Sequence, residues 1–310
     1  MSTAGRLAVF ALGLVVVFAA AVGIGRATGP VGPVGPADGR EVAHAGDVHS
    51  GDGGDDGGGH GTDAEEPGLP GGLATSQDGY TLELDRTTLR PGTREVAFRI
   101  LDEHGDAVTD YRVEHERRLH LVAVRRDGTG FQHVHPELGA DGTWRVPLDL
   151  TPSAWRLIAD FAPADTGATA DTGQDDAGLV LGADLLVPGP SDVAPAPPVT
   201  RTATVDDYTV TLTGDLVAGD HSTLELTVSR DGVPVTDLQP YLGAFGHLVA
   251  LREGDLAHLH VHPEEGASGP TVAFTAEVPS AGRYRLHLDF RHDDVVRTAS
   301  FLLEADHDDH

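Results

Sequence analysis

The 310-residue chain has no cysteine, no lysine, no asparagine and a single methionine, the initiator. Without cysteine there can be no disulfide, no thiolate zinc site, no cysteine nucleophile and no lipid-modified cysteine anchor. With no internal methionine either, soft sulfur ligands for Cu(I) are absent. Basic residues are scarce: 21, all arginine, against 49 Asp and Glu, for a formal charge of −28. No basic patch stands out, which argues against nucleic acid as a partner and against docking on an anionic lipid surface. What the chain does have is histidine, 17 residues of it in an acidic background. Any metal site must therefore be built from imidazole and carboxylate.

Leu7–Ile24 is an uninterrupted run of 18 apolar or small residues between Arg6 and Arg26. That is long enough for a transmembrane helix, and small-residue triplets around Ala19-Ala20-Ala21 also suit signal-peptidase cleavage. Residues 1–26 thus read as an anchor or a signal peptide. Either places the remainder outside the cytoplasm, membrane-bound through the helix or secreted after cleavage, with Arg6 on the inner side. Residues 27–75 are dominated by Gly, Pro and Asp and hold His44, His49 and His60. Such a segment cannot bury enough apolar surface to offset its chain entropy and reads as a disordered acidic linker.

From residue 76 the texture changes. Short runs such as Tyr80–Leu84, Val96–Leu101, Leu119–Val124, Trp155–Phe161, Tyr208–Leu212, Leu224–Val228, His247–Leu251 and Tyr284–Phe290 alternate apolar and polar between Gly, Pro and Asp turns. This is the pattern of an antiparallel β-sandwich. The expected fold is all-β: two tandem Ig-like β-sandwich domains, 76–188 and 201–304, joined by a Pro-rich linker at 189–200 and followed by an acidic His tail at 305–310. Gly92–Glu137 repeats as Gly219–Glu264 at a constant offset of 127, with Val108-Thr109-Asp110 on Val235-Thr236-Asp237 and His120-Leu121-Val122-Ala123 on His247-Leu248-Val249-Ala250. WRLIADF (155–161) likewise corresponds to YRLHLDF (284–290).

Three histidines recur in both copies as His-x12-His-x-His-Pro-Glu: His120, His133 and His135, then His247, His260 and His262. In the first copy they flank Asp127-Gly128, a strong two-residue hairpin signal. With that turn, His120 lies across from His135, and His133 lies across from Val122 on the same face. In the second copy a turn at Gly254-Asp255 sets His247 across from His262. Cross-strand Cβ atoms about 4.5–5.5 Å apart let three imidazoles converge on one ion. Pro136 and Pro263 end the strand, which places the pair near the rim of the sandwich. The second copy adds His258 and His287, where the first has Phe131 and Ile158, and so reads as the richer site. Asp160 and Asp289 recur in the matched strands as candidate supporting groups or oxygen ligands. His104, His115 and His221 are unmatched and read as surface residues; His292 follows the last matched strand.

The stretch LHLVAVRRDGTGFQHVHPE (119–137) resembles a pattern found in bacterial secreted or membrane-anchored β-sandwich proteins near heavy-metal or copper handling, some of them described as YtkA-like. The resemblance covers the His hairpin of each copy and implies a fold and a metal association, not a reaction. The Arg-only, Ala/Gly/Asp-rich composition is similar to that of high-GC actinobacterial proteins. Three functions follow. One is an extracytoplasmic metal-binding module holding Cu(II) or zinc on duplicated hairpins, for buffering, resistance or delivery. The alternative is a metal-free surface interaction or adhesion module. The least favoured is a metal-dependent enzyme, because no nucleophile or general base stands beside the histidines except Glu137 and Glu264. No protein partner is named by the sequence.

Overall fold

The computed structural model describes residues 70–164, 178–191, 197–264 and 266–306. The expected N-terminal helix, most of the acidic linker, residues 165–177, part of the Pro-rich linker and the end of the tail lie outside these residues. Among the described residues no helix is long and apolar enough to cross a membrane. Both repeats belong to one compact unit, Ala64–His310.

The first repeat comprises β1 (Ser76–Gln77), β2 (Tyr80–Leu84), β3 (Gly92–Leu101), β4 (Leu119–Arg125), β5 (Gln132–Val134), β6 (Glu137–Leu138), β7 (Trp144–Leu150), β8 (Ser153–Phe161) and β9 (Leu179–Val187). The second comprises β10 (Thr202–Val205), β11 (Tyr208–Thr213), β12 (Leu216–Val217), β13 (His221–Arg230), β14 (Val233–Pro234), β15 (His247–Arg252), β16 (His258–Leu259), β17 (Val261–Pro263), β18 (Thr271–Glu277), β19 (Gly282–His292) and β20 (Val295–Asp306). One sheet of the first repeat runs β1-β2-β3-β7-β6 and the other β5-β4-β8-β9. The second repeat matches this order, with β10-β11-β13-β18-β17 in one sheet and β12-β20-β19-β15-β16 in the other. Counted along the chain, this is the A-B-E-D and C′-C-F-G strand arrangement of an Ig-like sandwich, made twice.

Period-two alternation explains each core. In β3, Val96, Phe98 and Ile100 point inward while their neighbours face out. They meet Leu121, Trp155 and Leu157 from the opposing sheet. Each such side chain contributes about 1.5–3 kcal/mol on burial. The second core is built the same way around Tyr208, Leu226, Phe274, Tyr284 and Phe290. Both copies lock the start of the F strand to the preceding turn. Tyr284 Oη donates to the Ser280 carbonyl at 2.7 Å, the contact of a tyrosine corner. Trp155 Nε1 donates to the Thr151 carbonyl at 2.9 Å in the equivalent place.

The strands β4 and β15 are apolar on both faces. Leu121 and Ala123 fill the first core. Val122 and Val124 join Ile158, Val249, Leu251 and Leu256 in a separate buried cluster between the two sandwiches. The two C-strand sheets therefore pack outer face to outer face, with equivalent residues meeting equivalent residues. Phe131 stacks on His287 across this seam, ring centroids 3.7 Å apart.

The end of the expected linker departs from disorder. Gly72 N–H donates to the Val180 carbonyl, Gly182 N–H to the Ala74 carbonyl, and His258 N–H to the Gly71 carbonyl. Buried Arg156 donates to the carbonyls of Gly72 and Leu73 and also bonds Asp184. Residues 70–75 thus form a strap bonded to both sandwiches. The close approach needs glycine: a Cβ at Gly182 would sit 2.0 Å from the Gly72 oxygen. The backbone hydrogen bonds, rather than apolar burial, hold this otherwise coreless segment.

Candidate metal centre at the domain seam

The first His hairpin keeps its expected register by a different route. Leu121 pairs with Val134, Val122 with His133 and Ala123 with Gln132. The turn itself is longer than two residues. Gly128 N–H donates to the Arg125 carbonyl, and Arg125 N–H donates to the Thr129 carbonyl. Gly130, at φ 69°, and Phe131 then both oppose Val124, a β-bulge that absorbs the extra residue and restores the pairing. His120, His133 and His135 consequently converge: ring centroids are 5.4 Å apart for His120–His133, 5.0 Å for His120–His135 and 5.0 Å for His133–His135.

The second hairpin breaks where the first continues. Ala250 pairs with Leu259 and Leu251 with His258, as expected around Gly254-Asp255. The chain then crosses to the other sheet, so His262 pairs with Thr275 on β18 instead of lying across from His247. The expectation of a self-contained, richer second site is therefore corrected. The five histidines are divided among four places. His247 joins the first repeat's cluster. His260 and His262 move to an exposed sheet edge beside Glu277. His287 is buried at the seam against Phe131, with Nδ1 bonded to Ser300 at 2.8 Å. His258 stays half-buried on the wall of the cavity between these groups.

The resulting centre is shared by both domains. One ring nitrogen each from His120, His133 and His247 lies within 4.8 Å of the others. The His247 ring is 5.3 Å from His120 and 4.8 Å from His133. His135 stands beside them, and its Nε2 is buried with no hydrogen-bond partner. The rim position read from the prolines is corrected accordingly: the face that carries the histidines is covered by the other sandwich.

The hydrogen bonds fix the rings' orientation. His133 Nδ1 donates to Asp289 Oδ2 of the other domain at 2.8 Å, and Asp289 Oδ1 accepts from Thr298 Oγ1 at 2.5 Å. His120 Nε2 donates to the Glu114 carbonyl at 3.2 Å. Both outer nitrogens thus carry hydrogen in neutral rings, because a carbonyl and a carboxylate accept only. The inner nitrogens, His120 Nδ1 and His133 Nε2, then face each other at 3.2 Å with a lone pair each. Such an arrangement is resolved by a cation in the gap or by one more proton. Burial, then His133, pushes His120 down to about 3, which disfavours putting that proton on His120. Burial also pushes His135 and His258 down to about 4, and His247 well below its ordinary value.

Of the two recurring aspartates, Asp289 orients a histidine. Asp160 instead faces the cavity near Glu114, and burial followed by that neighbour pushes it up to about 7. His115, read as a surface residue, is exposed, yet its ring lies 6.1 Å from His120 and 5.7 Å from His247. No sequence repeat signalled it. His292 is buried between Tyr208 Oη at 2.6 Å and Asp237 at 3.2 Å, away from this centre.

No curated protein sequence matches the chain. Among solved structures it is similar to a Salmonella α2-macroglobulin reacted with methylamine, at 16 % identity and a TM-score of 0.24 over 76 % of this chain and 15 % of that one. It is also similar to a titin Z1Z2 tandem chimera, at 14 %, TM-score 0.19, over 73 % of this chain and 96 % of that one. The bacterial integrin-binding protein invasin is matched at 14 %, TM-score 0.21, over 77 % of this chain and 42 % of that one. Likenesses this loose say nothing of function, and this chain spans only a small part of the α2-macroglobulin and under half of the invasin. The repeat itself is diagnostic: residues 74–174 and 203–307 each match one family model, a domain of unknown function (DUF8832), so the chain belongs to that family and carries its domain twice.

Proposed function

We propose that this protein binds one Cu(II) or zinc ion at the seam of its two sandwiches, with His120, His133 and His247 as ligands and His135 within reach as a fourth. The observation that carries the reading is the pair of inner nitrogens of His120 and His133, 3.2 Å apart, left as acceptors by the bonds their outer nitrogens make. Imidazole-only sites suit these two ions. Asp289 serves the ion through His133, raising its basicity and fixing its ring, as carboxylates behind metal-bound histidines do. The apolar run Leu7–Ile24 supports an extracytoplasmic, membrane-tethered or secreted setting, in which the protein buffers or delivers the metal. Purified full-length chain, loaded with Cu(II) or zinc and desalted, is expected to retain one equivalent by elemental analysis, and His120→Ala or His247→Ala to retain none at the seam. Unmutated protein without stoichiometric metal would sink the reading.

A second reading has its own support. His120 already has a partner on each ring nitrogen, so a proton on His133 between Asp289 and His120 would satisfy the cluster without metal. The protein is then a tandem Ig-like interaction or adhesion module whose histidines join its domains. An ordinary Nδ1/Nε2 histidine pattern in NMR spectra, unchanged by added Cu(II) or zinc, would support this reading.

A further inference from the structure

The seam centre is half-buried, and the repeat that supplies His247 sends its other two matched histidines elsewhere. His260, His262 and Glu277 gather at the open edge of the second repeat's A-B-E-D sheet. All three are exposed, with one ligand atom each within 4.8 Å of the others. Their proximity is built by strand pairing. Val261 pairs with Ala276 and His262 with Thr275, and Glu277 N–H donates to the His260 carbonyl at 3.0 Å. His260, His262 and Glu277 therefore share one face, and the imidazoles stand 4.0 Å apart by ring centroid. Two imidazoles and a carboxylate are a sufficient ligand set for a divalent cation that keeps its remaining positions as water.

This edge is continuous with the seam. A cavity of about 360 Å³ has His260 and His262 in its lining together with His120 and His247, and His115, His258 and Asp160 lie along its walls. At about 30 Å³ of liquid volume per water, it has room for a hydrated ion. The walls carry imidazoles and the carboxyls of Glu114 and Asp160, so an ion moving inward has nitrogen and oxygen ligands to exchange. It need not be stripped bare.

We infer that His260, His262 and Glu277 form an acquisition site for a divalent cation, from which the ion passes along this cavity to His120, His133 and His247. The inference rests on the seam site proposed above. It gives the second repeat a distinct role: an exposed, fast-exchanging site that raises the local concentration of the ion beside a slower, more enclosed one. The different fates of two identical His-x-His motifs then become a division of labour between capture and retention.

The test is stopped-flow mixing of the full chain with Cu(II) supplied as its glycine complex, followed by d–d absorbance and by EPR of frozen samples. Unmutated protein is expected to show a fast phase from the exposed trio and a slow phase giving the seam spectrum. The double variant H260A/H262A should lose the fast phase and fill the seam at least about ten-fold more slowly, the low end of what local capture adds to association rates. Its final seam spectrum should be unchanged. The converse variant H120A/H247A should keep the fast phase and lose the slow one, which also reports that the exposed edge is folded. A seam that fills at the unmutated rate in H260A/H262A overturns the acquisition role while leaving the seam site standing. A fast phase alone in the unmutated protein overturns the seam site, and the transfer with it.

Discussion

The two histidine hairpins share one spacing and one register around their turns, yet one assembles a cluster and the other disperses. In the first, β5 stays on the C-strand sheet through Val134, so His133 and His135 remain beside His120. In the second, β16 pairs for only two residues before the chain crosses to the other sheet at His260. A difference of a few residues in where a strand changes sheets decides whether a His-x-His motif points into a seam or out to solvent. Matched sequence therefore implies matched chemistry only as far as the strand pairing is also matched.

That contrast can be broken at the seam. Val249→Asp would place an unpaired charge in the cluster that holds Val122, Val124 and Leu251. Loss of about 3 kcal/mol or more is expected, read as a lower urea midpoint with the two sandwiches becoming separable by limited proteolysis. His247 would then be withdrawn from the first repeat's histidines, and the slow copper phase should vanish. A variant as stable and as well loaded as the unmutated chain would show that the seam does not assemble the centre.

Asp289→Ala leaves the domains packed but removes the acceptor that orients His133. Metal affinity at the seam should fall about 10–100-fold by competition with a chelator of known strength. Asp289→Asn, which can still accept through its amide oxygen, should recover part of the loss. Equal affinity in all three proteins would separate Asp289 from the centre.

His287 sharpens the comparison through pH. Burial, followed by Arg285, pushes it down to about 3 from an ordinary 6.5, so the folded protein holds it neutral while the unfolded chain takes up a proton. A depressed histidine contributes stability that is present above pH 6.5 and lost as pH falls toward 3, at up to about 1.4 kcal/mol per pH unit. The first repeat has Ile158 at this position, buried and without titration. His287→Ile in metal-free protein should therefore flatten the decline of the urea midpoint between pH 6.5 and pH 5. An unchanged slope would mean that His287 is not buried neutral against Phe131. The smallest effect is expected at the exposed edge, where His262→Ala should change stability by no more than about 0.5 kcal/mol by the same measurement. A larger loss would assign that residue to the fold instead of the surface.

Much of this was legible in the chain. The repeat, its β-sandwich texture and the pairing of His133 with Val122 follow from alternation and from the turn residues. The turn reached that pairing through three loop residues and a bulge, because Gly130 supplies the positive φ that the correction needs. The seam was also signalled, though less plainly. LVAV in β4 and LVAL in β15 are apolar on both faces, as strands covered on both sides are. Two features were not legible. Nothing in HLHVHPE, set against FQHVHPE, marks where the chain leaves one sheet for the other. The strap at 70–75 is held by backbone carbonyls and one arginine, so it carries no apolar signature.

The outer-face seam joins like to like: Val122 with Val249, and His120 with His247, residues that occupy the same place in each repeat. Each copy on its own presents half of that face and part of the cluster. A relative carrying a single copy could rebuild the arrangement only by pairing with a second molecule through this surface. In the present chain the covalent link holds both halves of that surface in one molecule, at the high effective concentration a tether provides. One half holds its three histidines at the contact, and the other holds only His247 there, with His260 and His262 at an exposed edge.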